Sequence, residues 1–160
     1  MKTRGPKTLH DEIQEIRALY PESRSATLPA LRLAQEHHGW LSPEAFREVA
    51  EALDETPAYC MAVASFYDMY HLKPVGRHLV EVCTNISCAL SGAQGVVDAF
   101  ERELGIHVGG TAEDGSVTLR TVECLGGCGW ATVVALDNHH RLGVRAGDVP
   151  GIAKELRGSA

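Results

Sequence analysis

Apolar positions in the first half of the chain recur at helical spacing, while those in the second half alternate between short strands and amphipathic helices. Leu9, Ile13, Ile16, Leu19 and Tyr20 share one helical stripe, which Pro21 should end. A second helix is expected from about Ala26 to His38, with Leu28, Leu31 and Gln35 on one stripe and Gly39 as its C-cap. Ser42-Pro43 and Thr56-Pro57 each set a hydroxyl N-cap before a proline at the first helical position. They open a third helix carrying Phe46, Val49, Ala50 and Leu53, and a short fourth one carrying Tyr59, Cys60 and Val63. These stripes read as core.

Beyond a hinge at Pro74-Val75-Gly76 the period changes. His78–Cys83 reads as a strand, about Ala89 to Leu104 as a helix stopped by Gly105, and Val117–Glu123 and Ala131–Leu136 as two further strands. Asp137-Asn138 should turn the chain into a hairpin partner over Leu142–Arg145, and Asp148 should cap a last helix through Pro150 and Ile152 to Leu156. The fold class is therefore α+β: a helical bundle over residues 1–75, then a β-α-β-β-β-α segment over residues 76–160. The pattern does not fix the strand order.

Composition narrows the function. The 160 residues include 21 acidic and 15 basic side chains, a net charge of −6, which argues against nucleic-acid binding. There is no G-x-G-x-x-G after a strand and no G-x-x-x-x-G-K-[ST], so no nucleotide site is expected in this chain. The opening MKTRGPKTLHDEI lacks the apolar core of a secretory signal. No window approaches the roughly 18 apolar residues of a membrane span. A cytosolic, reducing location follows as the expectation, and there closely spaced cysteines favour metal binding or redox catalysis over disulfides.

Four of the five cysteines form two pairs, Cys83-x4-Cys88 and Cys124-x3-Cys128. Each pair follows an expected strand. Sulfur-only ligation points to zinc or to an iron–sulfur cluster. Structural zinc pairs are usually tighter, of the C-x2-C kind, which makes a zinc-stapled interaction module the minor alternative. A redox dithiol would need C-x-x-C, and the plant-type ferredoxin spacing does not match either. Cys88 is expected near the start of a helix, whose N–H groups favour negative charge. The glycines of Cys124-Leu125-Gly126-Gly127-Cys128-Gly129 leave backbone N–H groups free to approach sulfur. Cys60 stands alone on a helix and reads as a small core hydrophobe. The pairs His37-His38 and His139-His140 read as solvated surface, the second of them in a turn. Trp130 beside the last thiol is open to three readings: a shield, a partner contact or ordinary packing.

These segments together resemble a known family. Cys83-Thr84-Asn85-Ile86-Ser87-Cys88 with Gly92, and Val122-Glu123-Cys124-Leu125-Gly126-Gly127-Cys128, are similar to the two cysteine segments of the thioredoxin-like 2Fe-2S ferredoxin subunit of respiratory complex I, the NADH:quinone oxidoreductase. Leu33-Ala34-Gln35-Glu36, Gly39-Trp40-Leu41, Val63-Ala64-Ser65-Phe66-Tyr67 and Pro74-Val75-Gly76-Arg77-His78 extend the resemblance over roughly residues 25–157. One departure is Gly129-Trp130-Ala131-Thr132, where the family commonly ends in Ala-Pro. The resemblance implies an N-terminal helical bundle that docks a partner and a thioredoxin-like C-terminal domain. It implies one 2Fe-2S cluster held by Cys83, Cys88, Cys124 and Cys128. It also implies a larger flavoprotein partner that binds NADH and FMN, and a place at the cytoplasmic face of a membrane through that complex. Similar subunits serve NAD-linked formate dehydrogenases and hydrogenases, which stand as the alternative parent complexes.

Overall fold

The computed structural model describes residues 7–158, so the reading of the extreme N-terminus rests in part on residues outside the described ones. The chain divides into two compact units, Met1–Pro74 and Val75–Ala160.

The first unit is all helical. It contains α1 (Leu9–Arg17), a 3-10 turn at Ser23–Ala26, α2 (Thr27–His38), α3 (Pro43–Leu53) and α4 (Pro57–Phe66). The expected caps are in place: Ser42 Oγ accepts from Ala45 N at 3.1 Å and Thr56 Oγ1 from Tyr59 N at 3.2 Å. Gly39 ends α2 at φ +78°, a left-handed conformation that glycine adopts without strain. Thr8 and Asp11 close a capping box on α1 that the pattern did not announce. The first stripe is shorter than expected. Leu19 N and Tyr20 N bond to Ile16 O and Arg17 O, three residues back, and Leu19 is 80% exposed. Tyr20 precedes Pro21, whose ring disfavours helical geometry in the preceding residue, so the helix is already unwinding there. In α2 the buried face is Ala30, Leu31 and Ala34 rather than a stripe through Leu28, which is exposed. Gln35 lies on the edge of that face. Its side chain donates to Met69 O (3.0 Å) and accepts from His71 N (2.6 Å). Ile13, Leu31, Leu41, Val49, Leu53 and Cys60 make up the centre of this core.

The second unit contains β1 (His78–Cys83), α5 (Ile86–Leu90), α6 (Ala93–Leu104), β2 (Val117–Val122), β3 (Val134–Leu136), β4 (His139–Arg141) and α7 (Val149–Gly158). The sheet order is β2-β1-β3-β4. β1 pairs parallel with β2, Cys83 lying opposite Val122, and β3 pairs antiparallel with both β1 and β4. A parallel neighbour needs a crossover connection, which α6 supplies. α6 and α7 pack together, and Val96, Phe100, Val149 and Leu156 join Val80, Val82, Leu119 and Val134 of the sheet in one core. Glu81 is buried and takes hydrogen bonds from the guanidinium of Arg120, directly across the β1–β2 ladder.

Four boundaries differ from the expectation. β3 begins at Val134 and not at Ala131. The single helix from Ala89 is two helices, because Gly92 at φ +92° breaks the ladder after Ser91. The hairpin partner is His139–Arg141, not Leu142–Arg145. Asp137 and Asn138 both sit at positive φ, a two-residue turn that lets the return strand start at once. His139 and His140 therefore lie on an exposed edge strand and not in the turn. Asp148 belongs to a 3-10 turn before α7, where its carboxylate accepts from Arg145 N at 2.8 Å.

Two glycines give a paired test. A Cβ on Gly76 would lie 2.7–2.8 Å from the Val117 backbone, whereas one on Gly95, in the exposed first turn of α6, meets nothing within 4 Å. Gly76→Ala should destabilise the protein by about 1–3 kcal/mol through overpacking. Gly95→Ala should stabilise it by about 0.5–1 kcal/mol. Urea unfolding monitored by circular dichroism reads both.

Candidate metal centre

The two cysteine pairs start from adjacent parallel strands. Cys83 is the last residue of β1, and Cys124 follows the end of β2 by two residues. Parallel pairing turns both carboxyl ends the same way, so the two loops emerge at one end of the sheet. In open α/β sheets that end is where ligands bind.

Cys83 and Cys88 are buried, in a small cluster with Ala93 and Val133 against which Leu125 and Ala131 pack. Cys83 N bonds to Val133 O at 3.0 Å, and its Sγ donates to Glu123 O at 3.7 Å. Cys88 is the third residue of the five-residue α5, whose N-cap is Asn85. Burial pushes the Cys88 thiol above its ordinary value. A hydrogen bond from the Val133 backbone opposes this, and the nearby Cys83 and Cys128 thiols reinforce it. So short a helix has too small a dipole to carry the charge argument made from sequence. Desolvation and the neighbouring thiols dominate instead.

Cys124 and Cys128 are exposed. Gly126 sits at φ +72°, and its N–H donates to Cys124 Sγ at 3.3 Å. Gly127 is required by space, since a Cβ there would lie 2.8 Å from Val133 Cγ2 and 3.3 Å from Leu142 Cδ2. The 3-10 turn Cys128–Trp130 follows, packed against α5. Thr132, at the position where the resembled family has proline, is buried, its carbonyl accepting from Val144 N at 2.9 Å. The Ala131–Thr132 peptide is cis.

The structure thus brings Cys83, Cys88 and Cys128 close enough to influence one another and leaves Cys124 on the open loop. Among the described residues, no three His, Cys, Asp or Glu side chains form a closed cage for a metal ion. The donor chemistry nonetheless fits a four-thiolate iron–sulfur group. The donors available at this end of the sheet are soft thiols. No ionisable side chain other than cysteine occurs from Thr84 to Val97 or from Cys124 to Leu136, and a backbone N–H already points at one of the sulfurs. A cluster with four thiolate ligands carries negative charge that such N–H groups stabilise.

The remaining candidates fall outside this end. Cys60 is fully buried in the helical unit, and burial pushes its thiol up to about 11. His37 and His38 face different helices, toward Glu12 and Glu48, each at 2.8 Å. Trp130 is 67% exposed, which removes ordinary packing from its three readings. Sequence reasoning missed the exposed Ile86, Leu90 and Leu142 around the thiols. The available signal was the absence of Asp, Glu, Lys and Arg from residues 84–97 and 124–136.

Comparison with known proteins bears on this arrangement. A family model described as thioredoxin-like 2Fe-2S ferredoxin matches residues 13–157. The chain is 41% identical over 134 residues to a protein of Rhizobium meliloti named as a subunit of NADH-quinone oxidoreductase, covering 83% of this chain and 80% of that protein. It is 42% identical over 129 residues to a protein of Mycobacterium tuberculosis also named as a subunit of NADH-quinone oxidoreductase. That match covers 81% of this chain and 51% of the relative, so the chain spans about half of the relative's length. An NAD+-reducing NiFe-hydrogenase structure in the air-oxidised state superposes with a TM-score of 0.72 at 16% identity, covering 81% of this chain and 23% of that one. At that identity the likeness shows the fold alone.

The raised Cys60 thiol has a readable consequence. A thiol whose folded value lies above its unfolded one favours the folded state below the unfolded value, and this contribution is lost as pH rises toward about 11. Iodoacetamide at pH 8 should label the exposed Cys124 and Cys128 of cofactor-free protein and spare Cys60 until the chain is unfolded, as peptide mass mapping would show. Stability should fall above about pH 9, and less so in Cys60→Ala.

Proposed function

The chain belongs to the thioredoxin-like 2Fe-2S ferredoxin family, and from that premise we propose that it is the electron-transfer subunit of an NADH:quinone oxidoreductase. In this reading Cys83, Cys88, Cys124 and Cys128 hold one 2Fe-2S cluster, and the protein exchanges single electrons with the FMN of a partner that binds NADH. The observation that carries the proposal is the emergence of both cysteine pairs from the same end of two neighbouring parallel strands. When bound, the cluster supplies one-electron transfer at a potential set by hydrogen bonding and exposure.

The chain's own residues divide the work. Ala93 and Val133 exclude water from Cys83 and Cys88. The glycine loop presents Cys124 and Cys128 at the surface, and Gly126 N–H donates to sulfur. No nucleotide-binding loop occurs in the sequence, so NADH must be oxidised elsewhere. Relatives 38–42% identical, named as NADH-quinone oxidoreductase subunits, support this parent complex over a hydrogenase or a formate dehydrogenase. Their family, one of 2Fe-2S ferredoxins, supports iron over the zinc-stapled alternative. No described helix is long and apolar enough to cross a membrane. Attachment at the cytoplasmic face is assigned to the complex, and partner docking to the helical unit, where Met61, Phe66 and Met69 are exposed.

Anaerobically purified protein should contain about two irons and two acid-labile sulfides per chain. Stoichiometric zinc without sulfide would overturn the assignment. Cys88→Ala should abolish or severely disturb the visible and EPR spectra, while Cys60→Ala should leave them unchanged. The isolated chain should not oxidise NADH, whereas its complex with the flavoprotein should. Deleting residues 1–70 should weaken association more than cluster binding, measured by pull-down and iron content.

A further inference from the structure

We propose that Thr132 is a positioning residue for the centre: its buried hydroxyl ties α5 to the segment leading into β3, which holds Cys88 against the Val133 backbone and raises the reduction potential. This deepens the electron-carrier reading above and rests on it where the potential is concerned. Thr132 is 1% exposed, and its Oγ1 donates to Cys88 O at 3.5 Å, the long end of hydrogen-bonding range. A hydroxyl buried so completely needs a partner, because burial has taken away its bonds to water. The partner lies 44 positions away in the chain, so the bond joins two segments that local sequence does not.

The two ends of this bond are held unequally. On the Thr132 side the backbone is fixed twice. Thr132 O accepts from Val144 N at 2.9 Å, and Val133 O accepts from Cys83 N at 3.0 Å. On the other side α5 is a helix of five residues, too short to be stable by itself. Among its described residues only Cys88 is buried, while Ile86 and Leu90 are exposed, so apolar packing does little to place it. Ser91 N also bonds to Cys88 O, at 3.1 Å, but that bond stays within the turn and does not reach the sheet. Two ties join α5 to the lead-in of β3: the Thr132 hydroxyl on the Cys88 carbonyl, and the Val133 backbone on the Cys88 thiol.

These two ties work together. Both end on Cys88, and they start from adjacent residues whose backbone is already fixed. The hydroxyl bond therefore sets the distance over which the second one acts. A backbone hydrogen bond to a ligand sulfur favours the negative charge that reduction adds. Holding that bond short raises the potential, and slackening it lowers the potential. Thr132 acts through Cys88 and touches no sulfur itself.

The test compares wild type with Thr132→Val, which keeps the shape and removes the hydroxyl, and with Thr132→Ser, which keeps the hydroxyl. Cys88 is 2% exposed, and so buried a thiol is alkylated through transient opening. In cofactor-free protein Thr132→Val should speed iodoacetamide labelling of Cys88 about fivefold, the change in opening that loss of one neutral hydrogen bond produces. The exposed Cys124 should label at its wild-type rate. In the loaded full chain Thr132→Val should lower the reduction potential by about 30 mV, a roughly threefold change in the one-electron equilibrium. Thr132→Ser should stay near wild type in both measurements. If Thr132→Val fails to fold, Thr132→Ala against Thr132→Ser decides in its place, since those two differ by the hydroxyl oxygen alone. Wild-type labelling and potential in the variant without the hydroxyl overturn the proposal. A serine variant that behaves like the valine one overturns it too, because methyl packing then does the positioning. So does faster labelling of Cys60 alongside Cys88, which would mark general loosening. Faster Cys88 labelling with an unmoved potential overturns the tuning role. Wild-type protein that holds zinc and no sulfide overturns the carrier reading and the claim on potential, while the labelling rates still decide whether Thr132 positions Cys88.

Discussion

The parallel pairing of β1 with β2 is the constraint on which the rest depends. An antiparallel pair would send Cys83 and Cys124 to opposite ends of the sheet, more than about 15 Å apart at about 3.3 Å per residue over six-residue strands. Parallel pairing in register, Cys83 opposite Val122, brings the two loops out side by side. The pairing obliges the chain to cross the sheet, and α6 makes the crossing by burying Val96, Val97 and Phe100 against it. The core packing that stabilises the unit and the placement of the thiols are thus one event. Disturbing α6 would disturb the site without touching a cysteine.

Legibility in the sequence followed the locality of the signal. Caps written in two adjacent residues, Ser42-Pro43 and Thr56-Pro57, were read to the residue. So was β1, whose ends are set by short-range pattern. Errors arose where one residue outweighed the stripe. Gly92 split an amphipathic run that looked continuous, and Pro21 acted a residue before its own position. The β4 register was missed because alternation suggested a partner at Leu142, whereas two positive-φ turn residues let it start at His139. Strand order could not be read at all, since it depends on contacts between residues some 39 positions apart, such as Glu81 and Arg120.

At the site, residue type was legible and burial was not. The four thiols were picked out by spacing alone, but nothing local distinguishes the buried Cys83 and Cys88 from the exposed Cys124 and Cys128. That distinction comes from tertiary packing: Val133 and Ala93 cover one pair, and a glycine loop leaves the other in the open. Gly127 shows why the loop has that composition. The space a side chain would occupy there is already taken by Val133 and Leu142.

The asymmetry between the two pairs has a physical logic for a carrier. A redox centre shut away on all sides would be insulated from its partner, and one open on all sides would be hydrated and labile. In the proposed ligation, the two sulfurs buried in an apolar pocket would tie the centre to the end of β1, where Cys83 N bonds to Val133 O at 3.0 Å. The other two, exposed on a short glycine loop, would in that ligation give the electron one direction of exit. Charge is sparse around the thiols: Asp, Glu, Lys and Arg are absent from residues 84–97 and 124–136, with Glu123 just outside the second stretch. Backbone dipoles such as Gly126 N–H and solvent exposure therefore weigh heavily in the electrostatics there. Those two influences, hydrogen bonding and solvent exposure, are the ones through which a protein sets a cluster's potential.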